Sequence, residues 1–195
     1  MSPERQGESE SVRVAFLAHL PQILPSLTLW SRLRIQGRLR QRLDPEDLVQ
    51  ETCVRAYEGY SNYSPDKGSF RAWVFGVANH VLLRELRNIR RDTPESRFGL
   101  SARSQDLDAI CASQTSITSA VARLEQLEAL TEEVEELDDV ERWILIYRGL
   151  EELPYKDVGE RLHLDPEAVR TRWRRILQRL RHSQGLIPFV EEPEG

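Results

Sequence analysis

Apolar residues return every three or four positions along nearly the whole chain, the spacing that places them on one face of an α-helix. Strand-type alternation with a period of two is scarce, and no strong internal repeat stands out. The pattern therefore predicts an all-α fold. "SVRVAFLAHL" reads as a short amphipathic helix closed by Pro21 and Pro25, because proline lacks the N–H that a helix interior needs. "SLTLWSRLRIQGRLRQ" reads as a second helix, with Leu29 and Leu33 on one side.

The clearest helix start is in "LDPEDLVQETCVRAYEGY". Asp44 is a good N-cap, Pro45 suits the first helical position, and Glu46 and Asp47 favour the positive end of the helix dipole. Leu43 and Leu48 flank the cap as a hydrophobic staple. The same grammar returns at "LDPEAV", where Asp165 caps, Pro166 opens and Leu164 staples Val169. "SNYSPDKGS" is a turn-rich loop broken by Pro65 and Gly68. It leads into "FRAWVFGVANHVLLRELRNIRR", a helix that begins apolar and ends cationic. Phe75, Ala78, Leu82, Leu86 and Ile89 form its core stripe, widened near the start by Phe70, Trp73, Val77 and Val81. Arg84, Arg87, Arg90 and Arg91 take the remaining positions of its second half.

Residues 92–117 are polar and rich in Ser, Asp and Thr, and read as a flexible acidic linker. "AVARLEQLEALTEEVEEL" follows as an amphipathic helix striped by Leu124, Leu127 and Val134. "DDVERWILIYRGLEEL" is another helix, ending near Gly149. "LPYKDVGERLHLDPEAVRTRWRRILQRLRH" then has the shape of a helix-turn-helix: a short helix over about Tyr155 to Leu162, a tight connection, and a capped second helix. Val169, Trp173, Ile176 and Leu180 share one apolar face of that second helix. Arg170, Thr171, Arg172, Arg174 and Arg175 lie mostly off it.

Composition changes the picture through charge. The chain of 195 residues carries a net charge of −5, which taken alone argues against a polyanionic partner. The distribution reverses that argument: residues 31–91 carry +5 and residues 142–184 carry +4, separated by −10 over residues 92–141. Exposed charges act over about 10 Å, so local sign matters more than the average. Six arginines fall within residues 170–181. Arginine suits nucleic acid because its planar fork grips phosphate oxygens or the edge of a guanine. Cys53 and Cys111 fit no metal or redox spacing, and a disulfide is not expected. The four histidines are scattered, and no Gly-rich phosphate loop or nucleophile motif occurs, so neither an enzyme, a metal site nor a cofactor is expected. No run of 18 apolar residues suggests a membrane span, and the acidic N-terminus is unlike a signal peptide, which points to the cytoplasm.

With "DPEDLVQETCVRAY", "GSFRAWVFGVANHVLLRELRNIRR" and the helix-turn-helix in view, the chain resembles the bacterial extracytoplasmic-function sigma factors of the sigma-70 family. These direct RNA polymerase to promoters and help melt the DNA at initiation. The resemblance implies an N-terminal extension with a short helix over 1–28, domain 2 over 29–91, a linker over 92–117, domain 4 over 118–184 and an acidic tail over 185–195. It implies that Asp47, Leu48, Gln50, Glu51 and Arg55 dock on the β′ clamp helices of core RNA polymerase, with the β flap as a second contact. It places Tyr63, Lys67, Ser69, Phe70, His80, Arg84, Arg87, Arg90 and Arg91 at the −10 element, where flipped bases are trapped and phosphates held. Glu167, Arg170, Thr171, Arg172, Arg174 and Arg175 fall at the −35 element, on a helix whose first turns enter the major groove. Many relatives are held inactive by an anti-sigma factor. The implied location is the bacterial cytoplasm, on the nucleoid.

Three departures stand out. The family often has Asn where this chain has His80, and Asp where it has Arg84, so the −10 preference is expected to differ. His163 stands where a turn glycine is common. Trp73 reads either as core or as a base-stacking ring, and Phe70 and Tyr63, nearer the loop, as stacking candidates. An autonomous helix-turn-helix regulator is the alternative function. It explains residues 154–181 but leaves "DLVQET" and the first basic block without a role.

Overall fold

The computed structural model describes residues 3–91, 134 and 136–180, with side chains from Val14 onward. The chain divides into two compact units, Met1–Gln114 and Thr115–Gly195. The linker, most of the helix expected over 120–137, Cys111 and the acidic tail lie outside the described residues. Among the described residues the regular structure is helical throughout.

The first unit is built on α1 (Pro3–Arg34), α2 (Pro45–Gly59) and α3 (Phe70–Arg91), which pack against one another. One helix runs through Pro21 and Pro25 where the sequence predicts two. Each interior proline costs about 3 kcal/mol. Against that, Phe16, Leu20, Ile23, Leu27 and Trp30 are all buried, and each contributes about 1.5–3 kcal/mol. Burial outweighs the local penalty. Residues 14–28 thus share one helix and one core with Leu29 to Arg34 instead of forming a separate extension. The helix ends where Gly37 turns left-handed at φ 56°, and a 3₁₀ turn over Gly37–Gln41 replaces the rest of the expected second helix.

α2 begins as its sequence predicts. Glu46 N donates to Asp44 Oδ1 at 2.8 Å, Pro45 is at the first position, and Leu43 and Leu48 are both buried beside the cap. Arg32 Nη2 reaches Glu46 Oε1 at 2.8 Å and ties α1 to this start. The loop to α3 holds two 3₁₀ turns, Tyr60–Asn62 and Pro65–Lys67. α3 is buried at Val74, Phe75, Ala78, Val81, Leu82 and Glu85, while Leu86 and Ile89 are half-buried. The helix emerges from the core as its second half becomes cationic.

In the second unit, α4 (Asp139–Ile144) opens with a capping box. Glu141 N donates to Asp138 Oδ1 at 2.7 Å, and Asp138 N to Glu141 Oε2 at 3.4 Å. The helix widens into a π turn over Leu145–Leu150. α5 (Tyr155–Leu162) and α6 (Pro166–Leu180) follow among the described residues of the unit. Val169, Trp173, Ile176 and Leu180 are buried, as their spacing predicts. Gly149 admits the Trp173 ring, whose Cη2 would lie 2.7 Å from a β-carbon there. The α5–α6 turn depends on one left-handed residue and one close approach. His163 is left-handed at φ 56°, and a β-carbon at Gly159 would meet the Leu164 carbonyl oxygen at 2.6 Å.

Candidate nucleic-acid and partner interfaces

Asp47, Gln50, Glu51 and Arg55 fall at helical spacing on one face of α2. Gln50 and Arg55 are exposed, whereas Asp47 and Glu51 are half-buried. Leu48 is fully buried. Its expected place at a partner surface is therefore corrected: it staples the helix start against the core and offers no surface. Burial raises the Asp47 pKa above the usual carboxylate value, and the neighbouring Asp44 and Glu46 charges add to that. Asp44 goes the other way, lowered chiefly by its side-chain bond with Glu46.

Glu51 is the centre of an ion-pair network. Its Oε1 accepts from Arg55 Nε at 2.9 Å and from Arg84 Nη2 at 2.8 Å. Arg84 Nε also donates to Glu85 Oε1 at 3.0 Å, and Asn88 Nδ2 donates to Glu85 Oε2 at 3.4 Å. Glu85 is only 4% exposed, and these bonds reach both of its carboxylate oxygens. Burial works against the Arg84 cation, but its bonds to Glu51 and Glu85 prevail and raise its pKa. The family resemblance places Arg84 among the arginines facing a nucleic acid, with an ion pair to a neighbouring acid such as Glu85 or Asp66 as the alternative. Within the described unit its guanidinium is engaged by two carboxylates, Glu85 on its own helix and Glu51 on α2.

The rest of the expected −10 set surrounds the start and outer face of α3. Lys67, Ser69, His80, Arg87, Arg90 and Arg91 are exposed. Ser69 Oγ accepts from Ala72 N at 3.0 Å and so caps α3. Arg87 Nε donates to the Leu83 carbonyl at 3.2 Å. Tyr63, Phe70 and Trp73 are half-buried and belong to one aromatic cluster. Tyr63 lies 5.6 Å from Phe70 and 5.4 Å from Trp73 between ring centroids. Phe70 continues to Phe16 at 6.0 Å and His19 at 5.0 Å. Tyr57 and Tyr60 also meet Phe16, and Tyr60 meets Phe70, Tyr63 and Trp73 as well. The sequence reading names neither Phe16, Tyr57 nor Tyr60 as part of this group. The three-residue recurrence of Tyr57, Tyr60 and Tyr63 is the signal that carries it.

On α6, Glu167, Arg170, Thr171, Arg174 and Arg175 are exposed opposite the buried stripe, and Arg172 is half-buried. Glu167 N donates to Asp165 Oδ1 at 2.9 Å, which is the expected cap. Arg170 Nη1 pairs with Glu167 Oε1 at 3.3 Å. At the far end, Arg179 Nη1 donates to Glu141 Oε2 at 3.0 Å, so the capping-box acid of α4 also anchors α6. Among the described residues no group of three His, Cys, Asp or Glu is placed to hold a metal ion. No helix among them is long and apolar enough to cross a membrane.

Comparison with known proteins covers both units. The family model for Sigma-70 region 2 matches residues 29–92, and that for Sigma-70, region 4 matches residues 127–180. The chain is 25% identical over 143 residues to the ECF RNA polymerase sigma factor SigW of Bacillus subtilis (strain 168), covering 71% of this chain and 74% of that protein. It is 26% identical over 138 residues to the ECF RNA polymerase sigma factor SigE of Mycolicibacterium smegmatis, covering 71% of this chain and 51% of that one. A solved structure of CnrH in complex with the cytosolic domain of CnrY aligns with a TM-score of 0.41 and 20% identity, covering 89% of this chain and 86% of that chain.

Proposed function

The chain belongs to the extracytoplasmic-function branch of the sigma-70 family, and from that premise we propose how its two units divide the work of a sigma factor. A sigma factor directs RNA polymerase to promoters. It acts as a specificity subunit, and the polymerase supplies the chemistry. The α2 face formed by Asp47, Gln50, Glu51 and Arg55 docks on the β′ clamp helices. The α3 face with Lys67, Ser69, His80, Arg87, Arg90 and Arg91 holds the −10 strand, with Tyr63 and Phe70 offering rings for an unstacked base. The first turns of α6 read the −35 element, and the second unit also meets the β flap. An anti-sigma factor would act by covering one of these faces. All of this takes place in the cytoplasm, on the nucleoid.

One observation carries the reading. The exposed arginines of α6 stand opposite a fully buried apolar stripe, on a helix set by a tight turn from α5. That is the build of a helix made to enter a groove. Two modest contacts joined in one chain also reinforce each other through effective concentration. The test is co-purification with core RNA polymerase followed by run-off transcription. Asp47→Arg with Gln50→Ala is expected to weaken core binding while the helical circular-dichroism signal survives. Undiminished capture of core enzyme by the folded double variant contradicts the docking assignment.

A further inference from the structure

We propose that Tyr155 is a positioning residue for Arg170: its ring holds that guanidinium ready to meet DNA. The inference rests on the reading of α6 as the −35 helix. Tyr155 is the first residue of α5 and half-buried. The Arg170 guanidinium carbon lies 5.1 Å from its ring centroid, and that of Arg148 lies 4.6 Å from the same centroid. Both distances are within reach of a cation–π attraction. Glu167 pairs with Arg170 along α6, so ring and carboxylate together restrict where its guanidinium can be. The Arg170 side chain nonetheless keeps 45% of its surface exposed and available to a ligand.

The backbone fixes the ring. Through the π turn, Glu151 N donates to the Ile146 carbonyl and Leu153 N to the Tyr147 carbonyl, both at 2.9 Å. The chain then reverses at Glu152, which is left-handed at φ 58°. Arg148 Nη1 donates to the Leu153 carbonyl at 3.2 Å across this reversal. Tyr155 is therefore presented by a closed, hydrogen-bonded turn, and π turns of this kind recur at functional positions. An arginine held in place loses less side-chain freedom on binding than one that samples its rotamers in solvent. The second cation at Arg148 also raises the local positive potential that draws a phosphate backbone.

The test uses holoenzyme reconstituted from core polymerase and the full chain, with Tyr155→Leu, Tyr155→Phe, Arg170→Ala and the combination of Leu and Ala. Tyr155→Leu is expected to lower −35-dependent transcription about two- to fivefold, the worth of an exposed cation–π contact. It should relax the same base position as Arg170→Ala. Tyr155→Phe should stay near wild type, and Tyr155→Leu should add nothing once Arg170 is gone. A Leu effect of equal size with and without Arg170, or no Leu effect at all, overturns the proposal. A second measurement needs no variant. The Arg170 side-chain protons of the isotope-labelled chain should show ring-current shifts, and unshifted protons overturn the proposal even if Tyr155→Leu fails to fold. If instead Arg170→Ala leaves −35 dependence intact, the reading of α6 falls, while the ring-current result still decides the role of Tyr155.

Discussion

Arg84 Nη2 donates to Glu51 Oε1 at 2.8 Å and joins the second half of α3 to the middle of α2. The same guanidinium bonds the nearly buried Glu85. A residue expected to face the −10 strand thus ties α3 to α2. Arg84→Ala removes the cation paired with Glu85 and leaves Glu51 with Arg55 alone. The expected cost is about 1–3 kcal/mol, between that of an exposed and a buried pair. Arg84→Asp should cost more, because it sets a third carboxylate beside Glu51 and Glu85. Urea unfolding midpoints check this, and Glu85→Gln in the Arg84→Ala background should restore part of the loss. Unchanged midpoints would return Arg84 to a purely DNA-facing role.

Asp47 gives a pH signature. Its folded pKa is raised, chiefly by burial, so the folded state holds the proton more tightly than the unfolded state does. Ionised Asp47 therefore weakens the fold at neutral pH, and the penalty is relieved as pH falls through the folded pKa. Asp47→Asn should stabilise the chain at pH 7, and the gain should shrink towards pH 4. Asp44 has the opposite sign: its lowered pKa contributes stability above its unfolded value, and that is lost as pH falls through the folded one. Asp44→Asn should accordingly lose its effect in acid. Melting temperatures of both variants between pH 3 and 7 test the two signs.

The helix-turn-helix rests on Gly159 and His163. A β-carbon at Gly159 lies 2.6 Å from the Leu164 carbonyl oxygen, a backbone atom that cannot move aside cheaply. Gly159→Ala should cost about 1–3 kcal/mol by overpacking. His163 is left-handed, so His163→Gly should stabilise by about 1 kcal/mol. Chemical denaturation of the full chain, followed by the fluorescence of buried Trp173, measures both. A stabilising Gly159→Ala would contradict the turn geometry.

Much of this was legible in the sequence because it is local. Asp44 and Asp165 cap as their spacing predicts, and α5 begins and ends at Tyr155 and Leu162. The stripe of Val169, Trp173, Ile176 and Leu180 is buried because the helical period alone decides it. The misses are non-local. Pro21 and Pro25 read as stops because the local rule is strong, and only burial of Phe16, Leu20 and Trp30 against distant helices overrides it. The Glu51–Arg84 pair joins residues 33 apart in the chain, and no periodicity announces it. The aromatic cluster likewise draws on Phe16, far from Tyr63 and Phe70.

On α6, different arginines should fail in different ways. If Arg170 reads a base, Arg170→Ala costs about 1–3 kcal/mol and relaxes preference at one position. Arg175, if it meets phosphate, should on replacement weaken all sequences alike and lower the salt slope by about 1. Binding of holoenzyme to −35 variants over a range of salt concentrations separates the two.

This chain is expected to give RNA polymerase its promoter preference through two separate faces. Run-off transcription of a genomic fragment library by core polymerase, with and without the chain, tests it most directly. A discrete set of start sites should appear only with the chain. Arg170→Ala with Arg174→Ala and Arg175→Ala should abolish those whose −35 element is read. A transcript set identical with and without the wild-type chain, from core enzyme shown to be active, would contradict it.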